Sequence, residues 1–414
     1  MSACNECNKF KTRHGCEIGA DYENLGEIGQ GAYAVVYGAQ RPPAVGDKRT
    51  IGGASAVGGA GGRVVIKVND GGPCACTDKN ECGLFTDLLN AQRVAIEVAL
   101  LRKIDSPYIV RCLGTLPYRD EDGAVSCVLE SYDTTLQKML NSDTGNKFNT
   151  LYHVQYVMYQ VILGLHDLHR RGVAHYDVSA SNILLTPQCH AVLCDLGLAS
   201  YAAKASECRS IVWNRAPEVV IASRRGGEYD YKADIFAAGC VLASALQLQR
   251  RAAAHCAGAP VAAGSRRPLF SDGVEGMRVA ELLLIQFEVT GVPSESDLAA
   301  LGKLKPDERQ AFTRLVTDAH IDERAELRAG QLDNLLAGAP ASAIALVRAM
   351  LQTNPAKRPD CAAILAHEFF APHDQWGLPP LAEPVTSLTG ELDAVYKAGL
   401  SKANLQRMLK TLTA

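Results

Sequence analysis

Asp177, Asn182 and Asp195 form the group of residues in this chain best suited to do chemistry. They lie in HYDVSASNILL at 175 to 185 and CDLG at 194 to 197. Two carboxylates and one carboxamide at this spacing suit phosphoryl transfer from a metal-bound nucleotide. One oxygen must orient the attacking hydroxyl, and two side chains must hold Mg²⁺ against the phosphates. Asp177 is placed to accept or orient the hydroxyl proton. Asn182 and Asp195 supply the oxygen ligands that a hard cation prefers.

A second group would have to hold the phosphates. IGQGAYAVVYGA at 28 to 39 sets Gly29 and Gly31 between two apolar runs. Glycine lets backbone N–H groups approach phosphate oxygens without interference from a Cβ, so a strand, glycine turn and strand can cover a triphosphate. A strand rather than a helix follows, which disfavours a dinucleotide fold. RVVIKV at 63 to 68 embeds Lys67 in an apolar strand. A buried ammonium needs an anion, and Glu97, on a helix predicted near 87 to 104, is the candidate partner. That helix carries Ala95, Val98, Leu101 and Ile104 as one apolar stripe.

Further elements must position these residues. Residues 21 to 131 read as short strands around that one helix, whereas beyond 132 the pattern turns helical. Residues 151 to 169 place Val154, Val157, Met158, Val161, Ile162 and Leu165 on one buried face. His166 and His169 close that segment at a metal-like spacing, but the expected role is core or capping. Gly/Ala-rich 41 to 62, Cys-containing 71 to 83 and basic 248 to 267 read as surface insertions or linkers. The tail ends with Leu405, Met408, Leu409 and Leu412 on one helical face, for packing on this protein or on a partner.

The chain of 414 residues carries 42 basic and 45 acidic side chains, a net charge of -3. It therefore lacks the global basic field of a nucleic-acid binder, and neither a leader nor a membrane span is legible. Most of its fourteen cysteines are expected as reduced thiols, in the cytoplasm or nucleus. Cys4, Cys7, His14 and Cys16 could complete a zinc site, against the plainer reading of a polar tail at 1 to 20.

With WNRAPE at 213 to 218, YKADIFAAGC at 231 to 240 and NPAKRPD at 354 to 360, these motifs together resemble the eukaryotic protein kinases. The resemblance runs from Tyr22 to about Phe370. It implies an α+β fold of two lobes: a β-rich N-lobe at 21 to 131 with one main helix, and a larger helical C-lobe at 132 to 372. An extension at 373 to 414 follows. The implied cofactors are ATP and Mg²⁺, and the implied substrate is a protein hydroxyl. Lys67, Glu97 and Asp177 would be the catalytic set, with Asn182 and Asp195 on the metal. Ile28, Gly29, Gly31, Val36 and Lys67 would contact the nucleotide, as would Leu129 as gatekeeper and the hinge at Glu130 to Tyr132. Glu218 would pair with Arg358, and Asp234 would tether the catalytic-loop backbone. The insertions or the C-terminal helix are candidate docking elements.

RRPLFSDG at 266 to 273 and VTGVPSESDL at 289 to 298 are similar to the mitogen-activated and cyclin-dependent group. Ser206, Glu207 and Cys208 stand where mitogen-activated kinases carry Thr-Glu-Tyr. The resemblance also exposes three departures. Tyr176 replaces the Arg that grips a phosphorylated activation loop. Ser179 replaces the Lys that neutralises the transferring phosphate, a loss worth ~10²-fold or more in rate. Ile211 stands where a Thr usually bonds the catalytic Asp. Two functions follow: a Ser/Thr kinase, favoured by the intact set and expected to be slow, or a nucleotide-binding pseudokinase scaffold.

Overall fold

The structure, a computed structural model, describes residues 10–11, 17–18, 22–30, 34–40, 62–69, 88–116, 125–141, 150–201, 214–222, 230–256, 269–270, 279–291, 293–301, 331–383, 386–399 and 401–414. Gly31, the proposed zinc ligands, the segments 41 to 61 and 71 to 83, and Ser206 to Trp213 lie outside them. The chain divides into two units, 1–133 with 388–414, and 134–387.

The first unit is built on five antiparallel strands: β1 (Glu23–Gln30), β2 (Val35–Gln40), β3 (Arg63–Asn69), β4 (Cys112–Leu116) and β5 (Val125–Glu130). Their order in the sheet is β1-β2-β3-β5-β4. Alternation in RVVIKV sends Val64, Ile66 and Val68 into a core with Val35, Tyr37, Ala39 and Val128. Val65 and Lys67 therefore point to the other face.

Helix α1 (Leu88–Leu101) ends sooner than its apolar stripe suggests. Ile104 is still buried, but it follows a turn rather than a further helical residue. From Val94 to Leu101 every residue of α1 is buried, so the helix is covered on more than one side.

The second unit opens with β6 (Thr134–Thr135) and the long α2 (Leu151–Arg170). Thr150 caps α2 by accepting the His153 N–H, and all six predicted stripe residues are buried. Short strands follow: β7 (Val173–Ala174), β8 (Ile183–Leu185), β9 (Ala191–Leu193) and β10 (Ser200–Tyr201). One small sheet has the order β9-β8-β6, and β10 pairs with β7.

Helix α3 (Lys232–Cys256) corrects the sequence reading, because the expected linker from 248 continues the helix through Cys256. LQRRAAAH consists mostly of strong helix formers, which explains the extension. Helices α4 (Ala341–Met350) and α5 (Cys361–Leu365) pack against α3 and α2 respectively. Gly239 on α3 permits the α3–α4 contact, since a Cβ there would lie 3.0 Å from Leu351 Cδ2 and Met350 Cβ.

The chain then re-enters the first unit as α6 (Thr389–Ala398) and α7 (Lys402–Thr413), both packed on α1. Leu392, Val395, Leu405 and Leu409 are fully buried there. The amphipathic tail thus packs on this chain. Among the described residues no helix is long and apolar enough to cross a membrane.

Candidate active site

In the first unit the strand register collects the expected nucleotide residues. Val36, Lys67 and Cys127 lie opposite one another across β2, β3 and β5, and Val65 pairs with Leu129 one step along. These residues share the face of the sheet away from the Val64–Ile66–Val68 core. Gly29 pairs with Val36, while Ile28 is exposed. At the end of β5 the Glu130 N–H donates to Arg111 O at 3.0 Å, and the Tyr132 hydroxyl donates to Glu130 Oε2 at 3.2 Å.

Lys67 Nζ donates to both carboxylate oxygens of Glu97, at 2.6 and 2.8 Å. Glu97 is 3% exposed and Lys67 13% in their side chains, so the carboxylate is held by the protein and the ammonium retains an outlet.

The second unit assembles the other residues. Asn182, at the end of a single 3₁₀ turn, donates Nδ2 to Asp177 O at 2.9 Å and to Asp177 Oδ2 at 2.8 Å. Its amide nitrogen is thereby committed, and its carboxamide oxygen is the atom left to bind a cation. The Cys194 N–H donates to Asn182 O at 3.0 Å, which brings Asp195 beside the loop. Asp195 itself takes a left-handed φ of 64°, a conformation Asp tolerates better than most residues. Together Asn182 and Asp195 form an oxygen donor set that suits Mg²⁺.

His175 links the two halves of this stretch. Its Nδ1 accepts the Asp177 N–H at 3.2 Å, so its Nε2 carries the proton and donates to Cys194 O at 3.1 Å. Below it, Asp234 accepts the backbone N–H groups of His175 and Tyr176, each at 2.8 Å. The expected tether is present.

Arg358 and Glu218 also meet as expected, in a bidentate pair at 2.6 and 2.7 Å. The guanidinium has no exposed side-chain surface, donates further to the carbonyl oxygens of Gln352, Lys232 and Thr353, and lies over the Phe236 ring. Every strong donor direction is used, so a fully buried cation is tolerated, and its bond to Lys232 O ties it to the start of the helix that carries Asp234.

Ser179 is 2% exposed, and its hydroxyl meets Ser181 Oγ at 2.8 Å. It is turned into the loop and does not extend as a Lys would. His169, read from the sequence as a core or capping residue, hydrogen-bonds Asp234 Oδ2 through Nε2 at 2.9 Å, and Cys361 Sγ lies 3.4 Å from its Nδ1. Burial pushes the His169 pKa down, but the Cys361 sulfur and the Asp234 carboxylate outweigh it and raise the value to about 10. No sequence signal pairs Cys361 with a histidine 192 residues away. Among the described residues no group of His, Cys, Asp and Glu could hold a metal by itself at three or more ligands.

Residues 77–370 match the protein kinase domain family, more than two thirds of the chain. The matched stretch contains Glu97, Asp177, Asn182 and Asp195, and begins beyond Gly29 and Lys67. Mitogen-activated protein kinase 10 of Arabidopsis thaliana is 29% identical over 73% of this chain and 68% of its own. Mitogen-activated protein kinase KSS1 of Saccharomyces cerevisiae is 28% identical over 88% and 87%, and mitogen-activated protein kinase 2 of Pneumocystis carinii 25% over 95% and 94%. The β-rich first unit and the helical second unit agree with the two-lobed α+β architecture of such enzymes. The chain belongs to the protein kinase family, and it is a serine/threonine protein kinase related to the mitogen-activated kinases.

Proposed function

We propose that the chain transfers the γ-phosphoryl group of Mg-ATP to a protein hydroxyl with the residues described above in these roles. Lys67 holds the α- and β-phosphates, and Glu97 holds Lys67. Asp177 orients the substrate hydroxyl and takes its proton, while the Asn182 amide fixes the Asp177 carboxylate in place. Asn182 Oδ1 and Asp195 would hold Mg²⁺, which would supply positive charge against the phosphates. Ile28, Gly29, Gly31, Val36, Leu129, Glu130 and Tyr132 bind the nucleotide's base, sugar and phosphates.

The observation that carries this reading is the Lys67–Glu97 pair, formed between residues 30 apart in sequence with both carboxylate oxygens engaged. Ser179 offers no cation to the transferring phosphate, which supports a turnover below that of kinases with Lys there. Free thiols at Cys112, Cys127, Cys189, Cys194, Cys240 and Cys361 fit a reducing compartment, cytoplasmic or nuclear. A ligand that binds only the native state raises its melting temperature. Mg-ATP should raise that of the wild type, and Asp195→Asn should lose the Mg²⁺-dependent part of the rise. No rise in the wild type contradicts the reading.

A further inference from the structure

Gln286 lies in the helix Val279–Thr290, whose sequence VAELLLIQFEVT is otherwise mostly apolar. Its side chain is 1% exposed, and Leu282, Leu283, Phe287 and Val289 of the same helix are buried as well. Nε2 of Gln286 donates to Arg215 O at 2.7 Å, while its Oε1 is buried without a hydrogen-bond partner. An unpaired amide oxygen in the interior costs stability, and an apolar side chain of the same length would avoid that cost. Choices that are unfavourable for the core occur at functional positions. None of the roles above uses this glutamine.

The segment that Gln286 holds leads to the catalytic loop. Asn214, the residue before Arg215, donates Nδ2 to Val178 O at 3.1 Å, and Val178 follows Asp177 in the chain. Asn214 is half-buried, so it borders solvent beside the loop. On the far side of Arg215 the chain enters the helix Pro217–Ala222, where Arg358 fixes Glu218. Gln286 thus adds a fixed point between that ion pair and Asn214. Two carboxamides act in series: Gln286 holds the backbone at 215, and Asn214 passes the hold to Val178.

We propose that Gln286 and Asn214 are positioning residues for the protein substrate, a relay that sets the Val178 carbonyl and, through it, the Asp177 carboxylate against the incoming hydroxyl. The proposal rests on the role given to Asp177. Both bonds of the relay lie in the second unit, whereas Val36, Lys67 and Leu129, assigned to the nucleotide, belong to the first. The relay therefore governs the acceptor and its turnover, and leaves ATP binding alone.

The test uses the full-length kinase with Mg-ATP and myelin basic protein as acceptor. Gln286→Met keeps the length of the side chain and removes both amide groups. It should lower kcat/KM for the acceptor by roughly 2- to 10-fold, the range of one hydrogen bond, with the KM for ATP unchanged and the urea midpoint no lower than in the wild type. Asn214→Ala should cause a loss of similar size, and the double variant should be no slower than the slower single one, because the bonds act in series. Amide exchange at residues 178 to 182 should speed up by about twofold or more in Gln286→Met. Wild-type kcat/KM in either single variant overturns the proposal, as do losses that multiply in the double variant. A lowered urea midpoint in Gln286→Met overturns it too, since the residue would then be structural. So does unchanged exchange at 178 to 182, whatever the kinetics. The exchange comparison needs no turnover, so it decides the relay even if the role given to Asp177 fails.

Discussion

The Nε2 of His169 lies 2.9 Å from Asp234 Oδ2, the carboxylate that also holds the backbone of His175 and Tyr176. A histidine at the end of α2 therefore shares its anion with the loop that carries Asp177. The Tyr231 ring packs against the imidazole at 5.0 Å between centroids, and Cys361 closes the other side.

This arrangement has a pH signature. Burial opposes the charged imidazole, yet Cys361 and Asp234 raise its pKa from 6.5 to about 10. A folded value above the unfolded one contributes stability that is complete below about pH 6.5 and is lost as pH rises through about 10. The urea midpoint should fall across that window. Cys361→Ala should shift the fall to lower pH, and identical profiles for both proteins would refute the assignment.

Glu97→Gln tests the phosphate-holding side. It preserves volume but leaves Lys67 without its carboxylate, so kcat/KM should drop ~10²-fold or more. Far-ultraviolet circular dichroism should remain that of the wild type. Kinetics within a factor of three of the wild type would mean that Lys67 does not need this partner.

Leu409 is fully buried where α7 packs on α1, the helix that carries Glu97. Leu409→Ala should cost about 2–5 kcal/mol in urea unfolding. Because α1 aims the Glu97 carboxylate, kcat should fall as well. A stability loss under ~1 kcal/mol would show that the tail only rests on the surface.

Gly239→Ala separates helix propensity from packing. Alanine favours an isolated helix by about 1 kcal/mol. Its Cβ, however, would lie 3.0 Å from both Leu351 Cδ2 and Met350 Cβ, closer than such atoms normally approach. Overpacking of this kind costs about 1–3 kcal/mol, so the net effect should be destabilising. A raised melting temperature would contradict the close α3–α4 contact.

Much of the site was legible because its signals are local. RVVIKV stood out as an apolar strand with one embedded Lys, and the spacing of Asp177, Asn182 and Asp195 survives as a connected loop. Longer-range pairs were harder. Glu97 was found because a buried ammonium demands an anion, and Arg358 with Glu218 because both sit in recognisable motifs. Cys361 against His169 and Tyr176 against Tyr201 have no such rule, since nothing local in the sequence says which distant group a buried thiol or phenol will meet. The continuation of α3 to Cys256 was hidden by low complexity, which imitates a linker although Ala, Arg, Leu and Gln favour helix. Likewise the apolar face of α7 showed that something covers it, and only the fold shows that α1 does.

Phosphate incorporation from [γ-³²P]ATP into a protein substrate, measured for wild type and Asp177→Asn at equal concentration, tests the assigned chemistry most directly. Asparagine preserves the size of Asp177 and can still accept one bond from Asn182, but it cannot take the hydroxyl proton. Wild-type protein should label the substrate on serine or threonine, with Asp177→Asn slower by ~10²-fold or more. Equal incorporation by the two proteins would contradict the role given to Asp177.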